Sequence, residues 1–85
     1  MSTKAKVLTF LNKHFEEDDG EWYPINTARW EDGTDRRGWD NEIGSISESY
    51  TTPGKWNIAD CHCGDGPVVT HAKLLKCVKI SRSVS

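Results

Sequence analysis

The sequence predicts an α+β fold in which one N-terminal helix packs on a small antiparallel sheet of three to four strands. Apolar residues near the N-terminus recur with a helical period, whereas the segments after residue 20 are mostly short and extended. Turn signals containing glycine and proline separate these segments, as in antiparallel sheets. The 85 residues form one small domain over residues 1–80, followed by a polar tail at 81–85.

The first element is a helix predicted over residues 3–15. Leu8, Leu11 and Phe15 recur at helical spacing and form an apolar stripe. The acidic run at residues 16–19 follows at the C-terminal end, where the helix dipole disfavours negative charge. We therefore expect the helix to fray over this run.

The remaining regular segments are predicted to be extended. Residues 21–30 contain Pro24, which excludes a helix interior and indicates an edge strand. Residues 55–63 have strand character, and the Gly-Asp-Gly-Pro sequence at 64–67 is a clear break. Together with residues 68–80 they are predicted to form a hairpin.

Two segments fit both helical and extended periods. Residues 40–50 continue a helical stripe that begins at Trp39, but Gly44 and the serines are poor helix formers, so a short second helix and an irregular strand both stay open. Residues 68–80 also fit a helix, but their β-branched residues favour a strand.

The charged residues are segregated along the chain. Residues 16–65 hold all 13 acidic residues and four basic ones, a formal charge of −9, whereas the flanks carry seven basic residues and no acid. The net charge of −2 therefore conceals an acidic middle between basic ends. Either these parts attract each other within the fold, or the acidic middle forms a face for a basic partner.

The overall composition excludes several classes of protein. A near balance of charge argues against a generally basic nucleic-acid binder and against a highly acidic DNA mimic. No apolar run approaches the roughly 20 residues of a membrane span, and the N-terminus has no signal-peptide core. We therefore expect a cytoplasmic protein with no membrane partner.

The cysteines and histidines do not form a typical metal or catalytic motif. Cys61, Cys63, His71 and Cys77 would give a Cys₃His set, but C-x-C is shorter than the usual zinc spacing. Adjacent side chains on a strand point to opposite faces, which argues against Cys61 and His62 acting as a nucleophile and base. We therefore expect no metal, no cofactor and no enzymatic activity.

A DNA-binding function is the alternative. An N-terminal helix, a second helix over residues 39–50 and a terminal hairpin would follow the winged-helix order. The outward residues of that second helix include no lysine or arginine. The charge of its surface would therefore have the wrong sign for contact with DNA phosphates. Arg36, Arg37 and the basic C-terminal strand would have to supply the contacts.

One segment resembles a family of small phage and prophage proteins of unknown function. Trp22-Tyr23-Pro24-Ile25-Asn26-Thr27-Ala28, closed by Asp32-Gly33-Thr34, is similar to the family signature W-x-P-I-x-T-A-P-x-D-G-T. Arg29 replaces the proline of the signature, and one additional residue precedes the Asp-Gly pair. The resemblance implies a phage context, in which small domains often bind and disable host proteins.

These observations favour a non-catalytic protein-binding module, with inhibition of a bacterial host nuclease or defence complex as its role. Its partner would be a host protein or nucleoprotein complex with a basic surface. Four tryptophans exceed what so small a domain easily buries, and tryptophan is frequent at binding hot spots. The predicted partner-binding residues are Glu16, Glu17, Asp18, Asp19, Glu21, Trp30, Glu31, Asp32 and Trp39.

Overall fold

The computed structural model describes residues 3–33, 41–61 and 66–81. It contains two helices and seven short strands within these ranges. In chain order they are α1 (Thr3–His14), β1 (Phe15–Asp18), β2 (Glu21–Pro24), β3 (Thr27–Trp30), β4 (Ile43–Glu48), β5 (Lys55–Asp60), β6 (Val68–Thr70), α2 (His71–Cys77) and β7 (Val78–Ser81).

The strands form two antiparallel sheets. The larger has five strands in the order β1-β2-β4-β5-β6, and the smaller pairs β3 with β7. The predicted α+β class with an N-terminal helix is therefore confirmed, although the strands outnumber the three to four predicted. Pairing among β1, β2, β4 and β5 places Phe15, Trp22, Ile46 and Ile58 on one face of the larger sheet.

The core lies on this inner face. Helix α1 contributes Val7 and Leu11, and α2 contributes Leu74, all of them fully buried. The β3–β7 ribbon adds Trp30 and Val78 to the same cluster. Neither helix in the described ranges is long and apolar enough to cross a membrane.

The acidic run after α1 is part of a strand. The helix ends at His14, one residue before the predicted boundary, and residues 15–18 pair with β2. The prediction of a fraying helix end is therefore wrong. A hairpin gives the run's backbone groups partners and keeps its carboxylates in solvent, whereas continued helix would hold them against the negative end of the dipole.

The extended segment 21–30 is divided between the two sheets. Strand β2 lies between β1 and β4, so the prediction of an edge strand from Pro24 is wrong. Only Glu21 and Trp22 pair with β4. Pro24 lies beyond this pairing, so its missing N–H removes no bond to β4.

The two ambiguous segments have different outcomes. The described part of 40–50 contains strand β4, and a Cβ on Gly44 would lie 2.8 Å from the Cα of Cys61, a close approach that glycine permits. Residues 68–80 begin and end as strands, but 71–77 form α2, so one strand along the whole segment is wrong. The Thr70 hydroxyl accepts a 3.2 Å bond from the N–H of Lys73 and caps this helix. The predicted antiparallel pairing of the flanking segments is confirmed for β5 and β6.

Candidate functional site

A groove of about 640 Å³ opens at the end of the larger sheet beside the β1–β2 turn. Four carboxylates surround it, and two tryptophans contribute to its lining. We call it the acidic groove. Its lining residues are Leu8, Glu17, Asp19, Gly20, Glu21, Trp22, Ser47, Glu48, Ser49, Tyr50, Pro53 and Trp56.

Strand register brings carboxylates and indoles together. Glu17 pairs with Trp22 across β1 and β2, and Glu48 pairs with Trp56 across β4 and β5. Directly opposed residues share a face and approach closely. Trp56 is 1% exposed, whereas Trp22 is half-buried and packs against the core. The groove therefore has one buried and one accessible indole beside its acids.

A tight turn places further acid at the groove. Asp19 and Gly20 have φ values of 54° and 83°, in the left-handed region. The Glu17 carboxylate accepts a 2.7 Å bond from the Gly20 N–H and closes the turn. Since nothing lies within 4 Å of where a Gly20 Cβ would be, the groove stays open there.

The hairpin's negative charge acts on Tyr23. The Tyr23 hydroxyl donates to the Glu21 carboxylate. This bond, with weaker contributions from desolvation and from the charges of Glu21, Asp18 and Asp19, raises the pKa of Tyr23 above its usual value of 10.0. The phenol therefore keeps its proton beside the acids.

Trp56 contacts the second helix, α2, through a hydrogen bond and a ring contact. Its indole Nε1 donates a 2.7 Å hydrogen bond to Nδ1 of His71, the first residue of α2. The two rings meet edge-on, with centroids 6.1 Å apart. This bond satisfies the buried indole N–H and ties α2 to the groove.

Within the described part of the chain, one ion pair is present. The Lys4 ammonium lies 3.2 Å and 3.3 Å from the two carboxylate oxygens of Glu48, with both side chains substantially exposed. Glu17, Asp19 and Glu21 make no ion pair with any described cation. Of the groove's four acids, Glu48 is thus the one that a basic residue from the ends of the chain neutralises by direct contact among the described residues.

This arrangement suits a cationic side chain. An ammonium or guanidinium group would receive charge-assisted hydrogen bonds from the rim carboxylates. The Trp22 indole would supply aromatic surface for a cation–π contact. The groove also contains apolar surface from Leu8 and Pro53, against which the methylenes of lysine or arginine would pack.

The structure brings together three of the predicted acidic residues and separates the others. Glu17, Asp19 and Glu21 line the acidic groove. Glu16 and Asp18 lie on the face of β1 opposite to Glu17 and do not line the groove. Glu21 pairs with Asp18 and shares its face, but it lines the groove at the end of the strand. A strand alternates its faces, so a continuous acidic run cannot form one surface.

Glu31 and Asp32 belong to a different surface. They line a second groove of about 570 Å³, together with Lys73, Lys76 and Lys79. We call this the lysine groove. The Glu31 N–H donates a 2.9 Å bond to the carbonyl of Cys77 and holds the end of β3 against α2. The prediction of one face containing all the acids is therefore wrong.

Neither predicted tryptophan is shown at a surface. Trp30 is 1% exposed, because Ala28 and Trp30 face the core while Arg29 between them faces solvent. Its role as a surface anchor is therefore wrong. Trp39 lies outside the described residues, as do Arg36 and Arg37 of the DNA-binding alternative.

Sequence reasoning missed Glu48, Trp22 and Trp56 as site residues. The number of tryptophans did signal that some would lie at a surface, but it did not identify which. Cross-strand register was the missing information, because Glu48 is distant in sequence from the acidic hairpin.

The described cysteines lie in different surroundings. Cys61 is exposed and Cys77 is buried. Within residues 3–33, 41–61 and 66–81 there is no group of three or more side chains suited to hold a metal ion. Cys63 and His62 lie outside these ranges, so the expected absence of a metal stays a prediction.

Comparison with known proteins gave no relative: no family model, curated protein or solved structure matches this chain. The similarity of residues 22–28 and 32–34 to a phage signature therefore stays an interpretation of the sequence. In the structure residues 22–28 lie in β2, the corner after it and the start of β3, and residues 32–33 form a bend, whereas Thr34 lies outside the described residues.

Proposed function

We propose that this protein is a non-catalytic binding module that captures a basic segment of a partner protein in its acidic groove. The observation that carries the proposal is the convergence of Glu17, Asp19, Glu21 and Glu48 around Trp22 and Trp56, with Lys4 as the one cation paired to them among the described residues. Acidic charge and accessible aromatic surface are thus concentrated in one open cleft.

We expect the carboxylates to act mainly on the association rate and the Trp22 contact mainly on the affinity. Exposed carboxylates attract a basic partner over distances comparable to the Debye length, which raises the association rate at low salt. The contact with Trp22 would contribute about 0.5–2 kcal/mol to binding, depending on how far the cation is desolvated. Tryptophan in a cleft rimmed by polar groups is typical of a binding hot spot.

A binding role also fits the position of the imidazole beside the groove. His71 uses Nδ1 to accept the bond from Trp56, so this nitrogen stabilises the groove rather than accepting a proton from a bound molecule. The groove's Ser49 hydroxyl is likewise occupied in its own turn, where it accepts a 3.2 Å bond from the Thr52 N–H.

The partner we propose is a bacterial host protein or nucleoprotein complex with a basic surface, inhibited by this protein as a phage product. Support for the phage context comes from the sequence resemblance alone. Support for the basic surface comes from the groove. A nuclease or defence complex that binds nucleic acid would carry such a surface, since it must neutralise phosphates.

The winged-helix alternative lacks support for its recognition helix. It required a recognition helix over residues 39–50, but residues 43–48 form β4 inside the larger sheet. A strand with neighbours on both sides does not enter a DNA groove. Arg36 and Arg37, which that function would use, lie outside the described residues.

The test is affinity capture from a bacterial lysate, followed by mass spectrometry. The groove variant E17Q/E21Q removes two charges from the groove, and the new amide at position 17 keeps an oxygen for the Gly20 N–H. The control variant E16Q/D18N removes two charges from the opposite face of the same strand. We expect one dominant basic partner to be captured by the wild type and the control and lost from the groove variant.

Equal capture by both variants would overturn the groove as the binding site. A mobility-shift experiment on DNA at low salt addresses the alternative. Retarded migration of DNA by the purified wild type would show direct nucleic-acid binding and contradict the proposed protein partner.

A further inference from the structure

The lysine groove carries positive charge that no described carboxylate neutralises in an ion pair. Lys73, Lys76 and Lys79 are exposed and line this groove from α2 and β7. None of them makes an ion pair with a described carboxylate, although Glu31 and Asp32 line the same groove. Each ammonium group is therefore available to an external acid.

The neighbouring ribbon adds a like charge. Arg29 lies directly opposite Lys79 in the β3–β7 pairing, and both are exposed. Like charges placed directly opposite destabilise a pair of strands. On its other side the backbone of Arg29 forms an isolated antiparallel bridge with that of Glu42. An acid bound near Lys79 would relieve this repulsion.

We propose that two copies of this chain associate head to tail, with the lysine groove of one docked against the acidic groove of the other. The two surfaces share no residue, so one copy presents both at the same time. Three lysines that pair with no described carboxylate would then face three acids that pair with no described cation, Glu17, Asp19 and Glu21.

The chain itself shows that its lysines suit the acidic groove. Lys4 already lies against Glu48 at the groove, with its ammonium within 3.3 Å of both oxygens. A lysine from a second copy would make the same contact with the remaining acids. Its methylene stem would pack on Trp22.

Mixed charge in the lysine groove favours a second copy over a polyanion. Glu31 would repel a run of phosphates. A second copy brings a cation, Lys4, beside the acids that contact the lysines, where it would face Glu31. The contact is heterologous, because each copy uses a different surface, and so it leads to rings or open chains rather than to a closed pair.

This inference rests on the acidic groove of the proposed function, but not on the identity of the partner. A basic host segment and a second copy would compete for the same carboxylates. Self-association would therefore lower the fraction of grooves open to a partner as the protein concentration rises.

Sedimentation velocity on the full chain tests the proposal. We expect the weight-average mass of the wild type to rise with protein concentration at about 0.01 M salt, where the Debye length is about 30 Å, and to return to the monomer at about 1 M, where it is about 3 Å. A monomer at every concentration in low salt would overturn the proposal, as would association that salt does not weaken.

Two variants test the polarity of the contact. E17Q/E21Q disables the acidic groove, and K73Q/K76Q disables the lysine groove. Each alone should be monomeric, but an equimolar mixture should form a dimer and stop there, since each copy keeps one working surface. The matched controls E16Q/D18N and K6Q/K13Q remove equal charge from other exposed positions and should associate like the wild type.

The outcomes separate this inference from the proposed function. Binding of a tetralysine peptide, measured by tryptophan fluorescence, reports on the groove alone. A wild type that binds the peptide but stays monomeric would overturn self-association and leave the proposed function standing. Circular dichroism of each variant identifies any loss of fold, and mixtures that show no dimer from folded variants would also overturn the contact.

Discussion

The indole N–H of Trp56 and Nδ1 of His71 join the acidic groove to the second helix by a 2.7 Å hydrogen bond. Trp56 lies on β5, opposite Glu48, and His71 begins α2 directly after its cap. This one bond therefore links the groove's buried indole to the helix that carries Lys73 and Lys76 of the lysine groove. Its loss should affect the fold before it affects any binding.

We expect His71→Phe to lower the free energy of unfolding by about 1–3 kcal/mol. Phenylalanine keeps a ring beside Trp56 but removes the acceptor, so the buried indole N–H is left unsatisfied. Urea unfolding followed by tryptophan fluorescence measures the change. The control Lys73→Ala, an exposed position on the same helix, should remain within about 0.5 kcal/mol of the wild type. A His71→Phe protein as stable as the wild type would show that the bond contributes little.

The bond between Tyr23 and Glu21 leads to a prediction at alkaline pH. The raised pKa of Tyr23 means that the folded state disfavours the tyrosinate. Stability from this shift is present below the unfolded pKa, near 10, and is lost as the pH rises through the higher folded pKa. The chain has two tyrosines, so Tyr50→Phe leaves Tyr23 as the one tyrosine to titrate.

In that background, Glu21→Gln should move the ultraviolet titration of Tyr23 to lower pH. The substitution removes a charged acceptor and its negative potential together. The control Glu31→Gln, which lies at the lysine groove, should leave the titration in place. A titration unchanged by Glu21→Gln would refute the assigned cause of the shift.

Glycine is required at position 44 for lack of space and at position 20 for its backbone conformation. An alanine substitution at each position tests the two reasons separately. At Gly44 the added Cβ would lie 2.8 Å from the Cα of Cys61, a backbone atom, so we expect about 1–3 kcal/mol of destabilisation from overpacking. At Gly20 the space is open but φ is +83°, so we expect about 1–2 kcal/mol from the left-handed conformation.

Thermal unfolding of both alanine variants measures these effects. Only the Gly44 variant should also disturb the pairing of β4 with β5. Amide hydrogen exchange detects this at Cys61, whose N–H donates a 3.1 Å bond to the carbonyl of Glu42. Protection at Cys61 as strong as in the wild type would contradict the clash at Gly44.

The sequence allowed the fold class and the first helix to be predicted, because composition, turn residues and one strong apolar period were sufficient. Helix α2 was not predicted, because Leu74 and Val78 satisfy both an extended and a helical pattern over so short a segment. Its capping by Thr70 and the burial of its apolar face override the β propensity of the flanking valines.

The candidate site was predicted in part, and strand register explains the limit. A shift of one residue exchanges the two faces of a strand, so composition alone does not distinguish Glu17, which lies in the groove, from Glu16, which does not. The same alternation buries Trp30 beside exposed Arg29. Local sequence indicated an acidic and aromatic surface, but pairing between distant strands determined its members.

Trp22 provides the most direct test of how the groove recognises a cation. Trp22→Leu keeps an apolar side chain against the core and removes the aromatic face, so affinity for an arginine-rich peptide should fall by about 2- to 30-fold, corresponding to about 0.5–2 kcal/mol. Isothermal titration calorimetry at low salt measures the change. Phe10→Leu is the matched control and should bind like the wild type, because Phe10 is a partly buried aromatic residue that packs against the core outside the groove. If both variants lost affinity equally, a general loss of packing rather than loss of the Trp22 ring would be responsible.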